Sequence, residues 1–166
     1  SVTPPDDLWS DVRATIDGAR LAYVGADISQ AMLAAAPPGE LVRADVRALP
    51  FPDASFDLVL CCRLLHHVES EAELGELITE LLRVSGRFLV ASFWDSGSLA
   101  AWRARARLAR GRHPEGRVAR PRREIAALVR AAGGEVLSFH HSFRFLSQQT
   151  FFLARRASER SRTCPS

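Results

Sequence analysis

Two aspartates close apolar runs in this chain: Asp27 follows Leu21-Ala22-Tyr23-Val24 and a glycine-alanine step, and Asp45 follows Leu41-Val42-Arg43-Ala44. A carboxylate at the end of a strand can accept both hydroxyl hydrogens of a ribose, which an amide or a hydroxyl does less well. Asp27 holds that position. Asp45, at the next strand end, can accept from an adenine amino group, while its neighbour Val46 and the Ile28 beside Asp27 can hold a base by its faces. The competing reading is that each aspartate only caps the turn or helix after it, a common use of Asp. His66 and His67 follow a third apolar run, Phe56 to Cys62, and a histidine there can take a proton from a hydroxyl or an amine. His66 is the candidate for that work; the alternative is packing, with one ring buried and the other solvated. Adjacent histidines with no third ligand make a poor metal site, and His140 and His141 on a strand must point to opposite faces, so no metal is expected.

The elements that must position these residues alternate. Leu8, Val12 and Ile16 recur at helical spacing between Pro5 and Gly18. A short strand then ends at Asp27, and Ser29 caps a brief helix that Pro37-Pro38 stops. A second strand ends at Asp45, and the two prolines between Leu49 and Asp53 require a loop. The run Phe56 to Cys62 is nearly unbroken, as expected of a parallel strand covered on both faces. Ser70 and Glu73 form a capping box ahead of Leu74, Leu77, Ile78, Leu81 and Leu82, one face of the clearest helix. A fourth strand, Arg87 to Phe93, precedes a helical pattern with Leu99 and Trp102. Ile125, Leu128, Val129 and Ala132 make a further helix, closed by Gly133-Gly134. The period then changes to two through Leu137, Phe139, Phe143 and Phe145, and Gln149 to Ala154 can return beside them as an antiparallel hairpin. Strands alternating with helices predict an α/β, Rossmann-like, mostly parallel sheet with helices on both faces. Ligands in such sheets bind beyond the carboxyl ends of the strands, where Asp27, Asp45, Cys62 and Trp94 all fall.

One domain is expected over residues 1–157, with a flexible tail from 158 to 166. The 166 residues, 47% of them hydrophobic, fit one buried core. No apolar run approaches the roughly 18 residues of a membrane span, and Ser1 to Asp11 lack the layout of a secretion signal. Three cysteines without a CxxC pattern suit a reducing, cytoplasmic setting. All 22 basic residues are Arg. Residues 1–100 hold 7 of them against 15 Asp and Glu, and residues 101–166 hold 15 against 4 Glu. For the stretch Arg103, Arg105, Arg107, Arg110 and Arg112 three readings stand, in descending order: a solvated helix face, attraction of an anionic acceptor, and a nucleic-acid footprint. The last lacks aromatic interleaving or a known motif, so no nucleic-acid partner is expected.

The run Val24-Gly25-Ala26-Asp27-Ile28-Ser29, then Ala44-Asp45 with Leu49-Pro50-Phe51, then Ser55-Phe56-Asp57-Leu58-Val59-Leu60, then Leu65-His66-His67-Val68 resembles, in order and spacing, the class I S-adenosylmethionine-dependent methyltransferases. The likeness covers roughly residues 8–155 and is nearest to the branch acting on quinones and other small molecules (the methyltransferase type 11-like domains), whose sheet ends in an antiparallel hairpin. The resemblance implies that Asp27 binds the ribose of S-adenosylmethionine, that Asp45 and Val46 bind its adenine, that the chain around Cys62 approaches its methionine portion, and that a small organic molecule accepts the methyl group. Family members open with an apolar strand and a GxGxG-type loop before the first helix. Only Ser1 to Asp7 precede that helix here, so the first strand is expected to be missing, the chain to be a fragment, a truncated gene model or a degenerate copy, and cofactor binding to be weak or lost. A rival reading is a non-catalytic module that pairs an exposed sheet edge with another chain.

Overall fold

The computed structural model describes residues 21–36, 39–97, 118–141 and 149–157. The expected helix over Leu8 to Ile16, the pattern with Leu99 and Trp102, the arginine stretch, Phe143, Phe145 and the tail lie outside the described residues. Residues 1–50 and 51–166 form two compact units.

In the first unit the strand β1 (Val24–Asp27) leads through a short helix α1 (Gln30–Ala35) to β2 (Glu40–Arg43). The Ser29 hydroxyl accepts from the Met32 amide at 3.4 Å, which caps α1 as its sequence position predicts. The two strands pair in parallel, with Asp27 opposite Arg43, and the Asp27 carbonyl accepts from the Ala44 amide at 3.1 Å. Both strands therefore finish at the same end of this small sheet.

The second unit is a five-stranded mixed sheet. Its strands are β3 (Phe56–Cys61), β4 (Ser85–Asp95), the short β5 (Ala119–Arg120), β6 (Gly134–His141) and β7 (Gln149–Arg156), and its helices are α2 (Glu71–Val84) and α3 (Arg122–Ala131). The order is β3-β4-β7-β6, with β5 beside the end of β4. β3 and β5 run parallel to β4, whereas β7 is antiparallel to both β4 and β6, so the hairpin read from the change of period is present. Ser70 caps α2 by accepting from the Glu73 amide, and all five leucines and isoleucines of the expected face are buried. α3 gives way to Gly133, whose φ of +78° only glycine adopts without strain.

The core lies where Leu74, Ile78 and Leu82 of α2 and Ile125 and Val129 of α3 meet Leu89, Ala91 and Phe93 of β4 and Phe152 and Ala154 of β7. Burying each of the larger side chains contributes on the order of 1.5–3 kcal/mol. β3 differs from its reading as a strand covered on both faces: Cys61 is buried, but Leu58 and Leu60, alternating with it, are 53% and 62% exposed. The described helices cover the sheet face that carries Leu89 and Ala91, and those two leucines lie on the other. The two-residue β5 carried no apolar run by which it could be anticipated.

Candidate functional site

Strand pairing in the first unit brings Asp27 and Asp45 to one end of one sheet. Asp45 stands two positions beyond Arg43, the register partner of Asp27 and the last residue of β2, where a strand ending at Asp45 was expected. Each also makes the local contact that the competing reading foresaw. Asp27 Oδ1 accepts from the Ser29 amide at 2.8 Å, and among the described residues no hydrogen bond engages its Oδ2. Ile28 is 58% exposed, and its carbonyl accepts from Arg43 Nε at 3.1 Å, which ties the turn after β1 to the end of β2. Val46 is half-buried.

Asp45 has a partner that the sequence reading missed. Its Oδ1 accepts from the Arg47 amide at 2.9 Å, and the Arg47 guanidinium grips both oxygens, Nη2 reaching Oδ2 at 2.6 Å. Hydrogen bonds from the Arg47 side chain, then from its amide, hold the carboxyl down at about 2. A ligand donor at Asp45 must therefore share this carboxylate with Arg47. The signal available was only Arg at two residues' remove, which sequence alone does not distinguish from a solvated side chain.

In the second unit the segment after β3 is held from several sides. Cys61 is buried and Cys62 exposed; desolvation pushes the Cys61 thiol up to about 12 and the Cys62 thiol upward too, so neither is poised as a nucleophile. Arg63 takes φ +62°, a conformation rare outside glycine, and its amide donates to the buried Ser92 hydroxyl at 2.7 Å. Leu65 to His67 form one 3₁₀ turn. His66 is 3% exposed and stacks on Trp94 with centroids 4.9 Å apart and planes 11° from parallel, while the His67 ring sits 4.3 Å away and is exposed. The two histidines thus divide as packing predicts: a solvent-borne molecule can reach His67, and His66 lies beneath it. Among the described residues no group of three His, Cys, Asp or Glu could hold a metal, and no helix is long and apolar enough to cross a membrane.

Residues 12–90 match the family model described as a methyltransferase domain. A curated relative, a candidate methyltransferase of Encephalitozoon cuniculi (strain GB-M1), is 38% identical over 60 residues, which cover 35% of this chain and 29% of that protein. The match thus spans under a third of the relative's length. Among solved structures, magnesium protoporphyrin IX methyltransferase from Synechocystis PCC 6803 with bound SAH is similar at a TM-score of 0.67 and 15% identity, covering 91% of this chain and 83% of that one. An S-adenosylmethionine-dependent methyltransferase from Methanosarcina mazei is similar at 0.67 and 18%, covering 87% of each chain. At these identities the structures establish a shared Rossmann-like fold.

Two outcomes follow from the geometry. In Arg47→Met the Asp45 carboxyl should rise from about 2 toward the ordinary value of about 3.9, read by carboxyl-carbon NMR titration. Because the folded value is depressed, the stabilisation from this pair is present above about pH 4 and lost as the pH falls through about 2; a flat titration difference between the two proteins contradicts the assignment. His66→Ala, which empties a buried stacked position, should lose about 2–4 kcal/mol in denaturant unfolding, and His67→Ala should stay within about 0.5 kcal/mol of wild type.

Proposed function

We propose, from the premise that this chain carries a class I methyltransferase-like domain, that it transfers a methyl group from S-adenosylmethionine to a small organic acceptor. The observation that carries the reading is a pair of carboxylates at the ends of two adjacent parallel strands, Asp27 as the last residue of β1 and Asp45 two residues beyond the end of β2. The donor set fits the group. Asp27 keeps an oxygen that no described hydrogen bond uses and can accept from ribose hydroxyls, Ile28 presents an exposed apolar side chain to a base, and Val46 and Asp45 offer an apolar contact and an acceptor for the adenine amino group. The cofactor supplies a methyl group on a positively charged sulfur.

Methyl transfer needs chiefly alignment of donor and acceptor and exclusion of water, so no dedicated dyad is required of this chain. The assignment of Cys62 to the methionine portion rests on the resemblance alone. Where the acceptor must lose a proton, we assign the transfer to the His66–His67 pair, with His67 as the accessible ring and His66 buried behind it.

A second reading, a non-catalytic module that pairs through a sheet edge, has one observation in its favour. Among the described residues β3 pairs with β4 alone and so ends the five-stranded sheet on that side.

Calorimetry with S-adenosylhomocysteine tests the first reading. Asp27→Asn keeps an oxygen for the Ser29 amide but replaces the other acceptor by a donor, and it should weaken binding about tenfold or more. Equal affinities, or a folded wild type that gives neither heat nor a melting shift at millimolar ligand, would overturn it. For the second reading, sedimentation velocity should show a dimer that Leu60→Lys dissociates; a monodisperse wild-type monomer counts against it.

A further inference from the structure

Arg120 is the second residue of the short strand β5, yet only 8% of its surface meets solvent. Its guanidinium is spent on backbone rather than on a ligand. Nη2 donates to the Val68 carbonyl at 3.1 Å and to the Glu69 carbonyl at 2.7 Å, and Nη1 donates to the Glu124 carboxylate, one turn into α3. Two residues earlier, the Val118 amide donates to the His66 carbonyl at 2.8 Å. Val118 and Arg120 therefore hold the histidine turn and the two residues after it, while Ser92 of β4 holds the chain before it through the Arg63 amide. Both carbonyls that Arg120 holds come directly after the turn and directly before Ser70, the cap of α2.

A guanidinium suits this place because its planar fork can serve two carbonyls and a carboxylate at once, whereas an ammonium is a point charge without that geometry. Burial of the charge is unfavourable unless it is paired and hydrogen-bonded, and the buried Arg120 Nε has no hydrogen-bond partner among the described residues. The charge is tolerated because Glu124 neutralises it and the Val68 and Glu69 carbonyls accept from it.

We propose that Arg120 is a positioning residue for the histidine turn: through the Val68 and Glu69 carbonyls it fixes the exposed His67 and keeps His66 stacked on Trp94. This rests on the reading of that turn as the proton-accepting part of a methyl-transfer site, and it adds a residue some 50 positions downstream to it. Arg120 touches no reacting group; it acts through the turn.

The test compares wild type, Arg120→Met and Arg120→Lys in a Trp9→Phe, Trp102→Phe background, where Trp94 is the only tryptophan. Amide exchange is followed at His67 and Val68, which bond to the Leu64 and Leu65 carbonyls, with Leu81 of α2 as reference. Near-UV circular dichroism follows the Trp94 band. In Arg120→Met, protection at His67 and Val68 should fall about tenfold or more and the Trp94 band should weaken, with Leu81 unchanged; Arg120→Lys should recover part of both. The proposal is overturned by wild-type protection and band in Arg120→Met, or by an equal loss at Leu81, which would mark Arg120 as a general stabiliser. Calorimetry with S-adenosylhomocysteine runs alongside. A wild type that binds none sinks the methyltransferase reading and leaves the exchange result to decide the role of Arg120.

Discussion

Parallel pairing of β1 with β2 is the constraint from which the rest follows. Two strands that run the same way deliver their last residues to the same end of a sheet, so Asp27, which ends β1, and Asp45, two residues past the end of β2, leave the sheet at the same end. The bond from the Ala44 amide to the Asp27 carbonyl extends the ladder one step past β2 and fixes the register at the point where it matters. A slip of one residue would send one carboxylate to the opposite face.

Local hydrogen bonding then makes the two acids unequal. Asp27 engages one oxygen in its own turn and, among the described residues, leaves the other without a hydrogen bond, whereas Asp45 is clamped by Arg47 on both. The clamp holds Asp45 ionised down to strongly acid pH and fixes its orientation, which suits an acceptor that must stand still. In the second unit the same economy of means appears in backbone form: the positive φ of Arg63, the 3₁₀ turn and the stacked rings are held by Ser92 and by Arg120. Nearly every tie on that segment ends on a main-chain group, so the side chains of Cys62 and His67 stay exposed.

Much of this was legible in the chain. The strand end at Asp27, the caps at Ser29 and Ser70, the buried face of α2 and the antiparallel hairpin each have a local cause: a period, a capping side chain, a stop signal; the second strand stops at Arg43, two residues short of the expected Asp45. What escaped was non-local. β5 has no apolar pattern because it is two residues long and pairs only with the end of β4. Arg120 and Arg47 look like any other arginine in a sequence whose basic residues are all arginine, and only the fold shows that one is buried against carbonyls and the other is wrapped on a carboxylate. Reading β3 as covered on both faces failed because a run of apolar residues records capacity for burial and carries no record of what covers it.

A crystal structure of this chain with S-adenosylhomocysteine is the most direct test of the proposal that Asp27 and Asp45 hold one nucleoside. Both ribose hydroxyls should then lie within hydrogen-bonding distance of the Asp27 carboxylate, with the adenine between Ile28 and Val46 and its amino group at Asp45. A nucleoside bound anywhere else, with these two carboxylates still engaged only by Ser29 and Arg47, would contradict it.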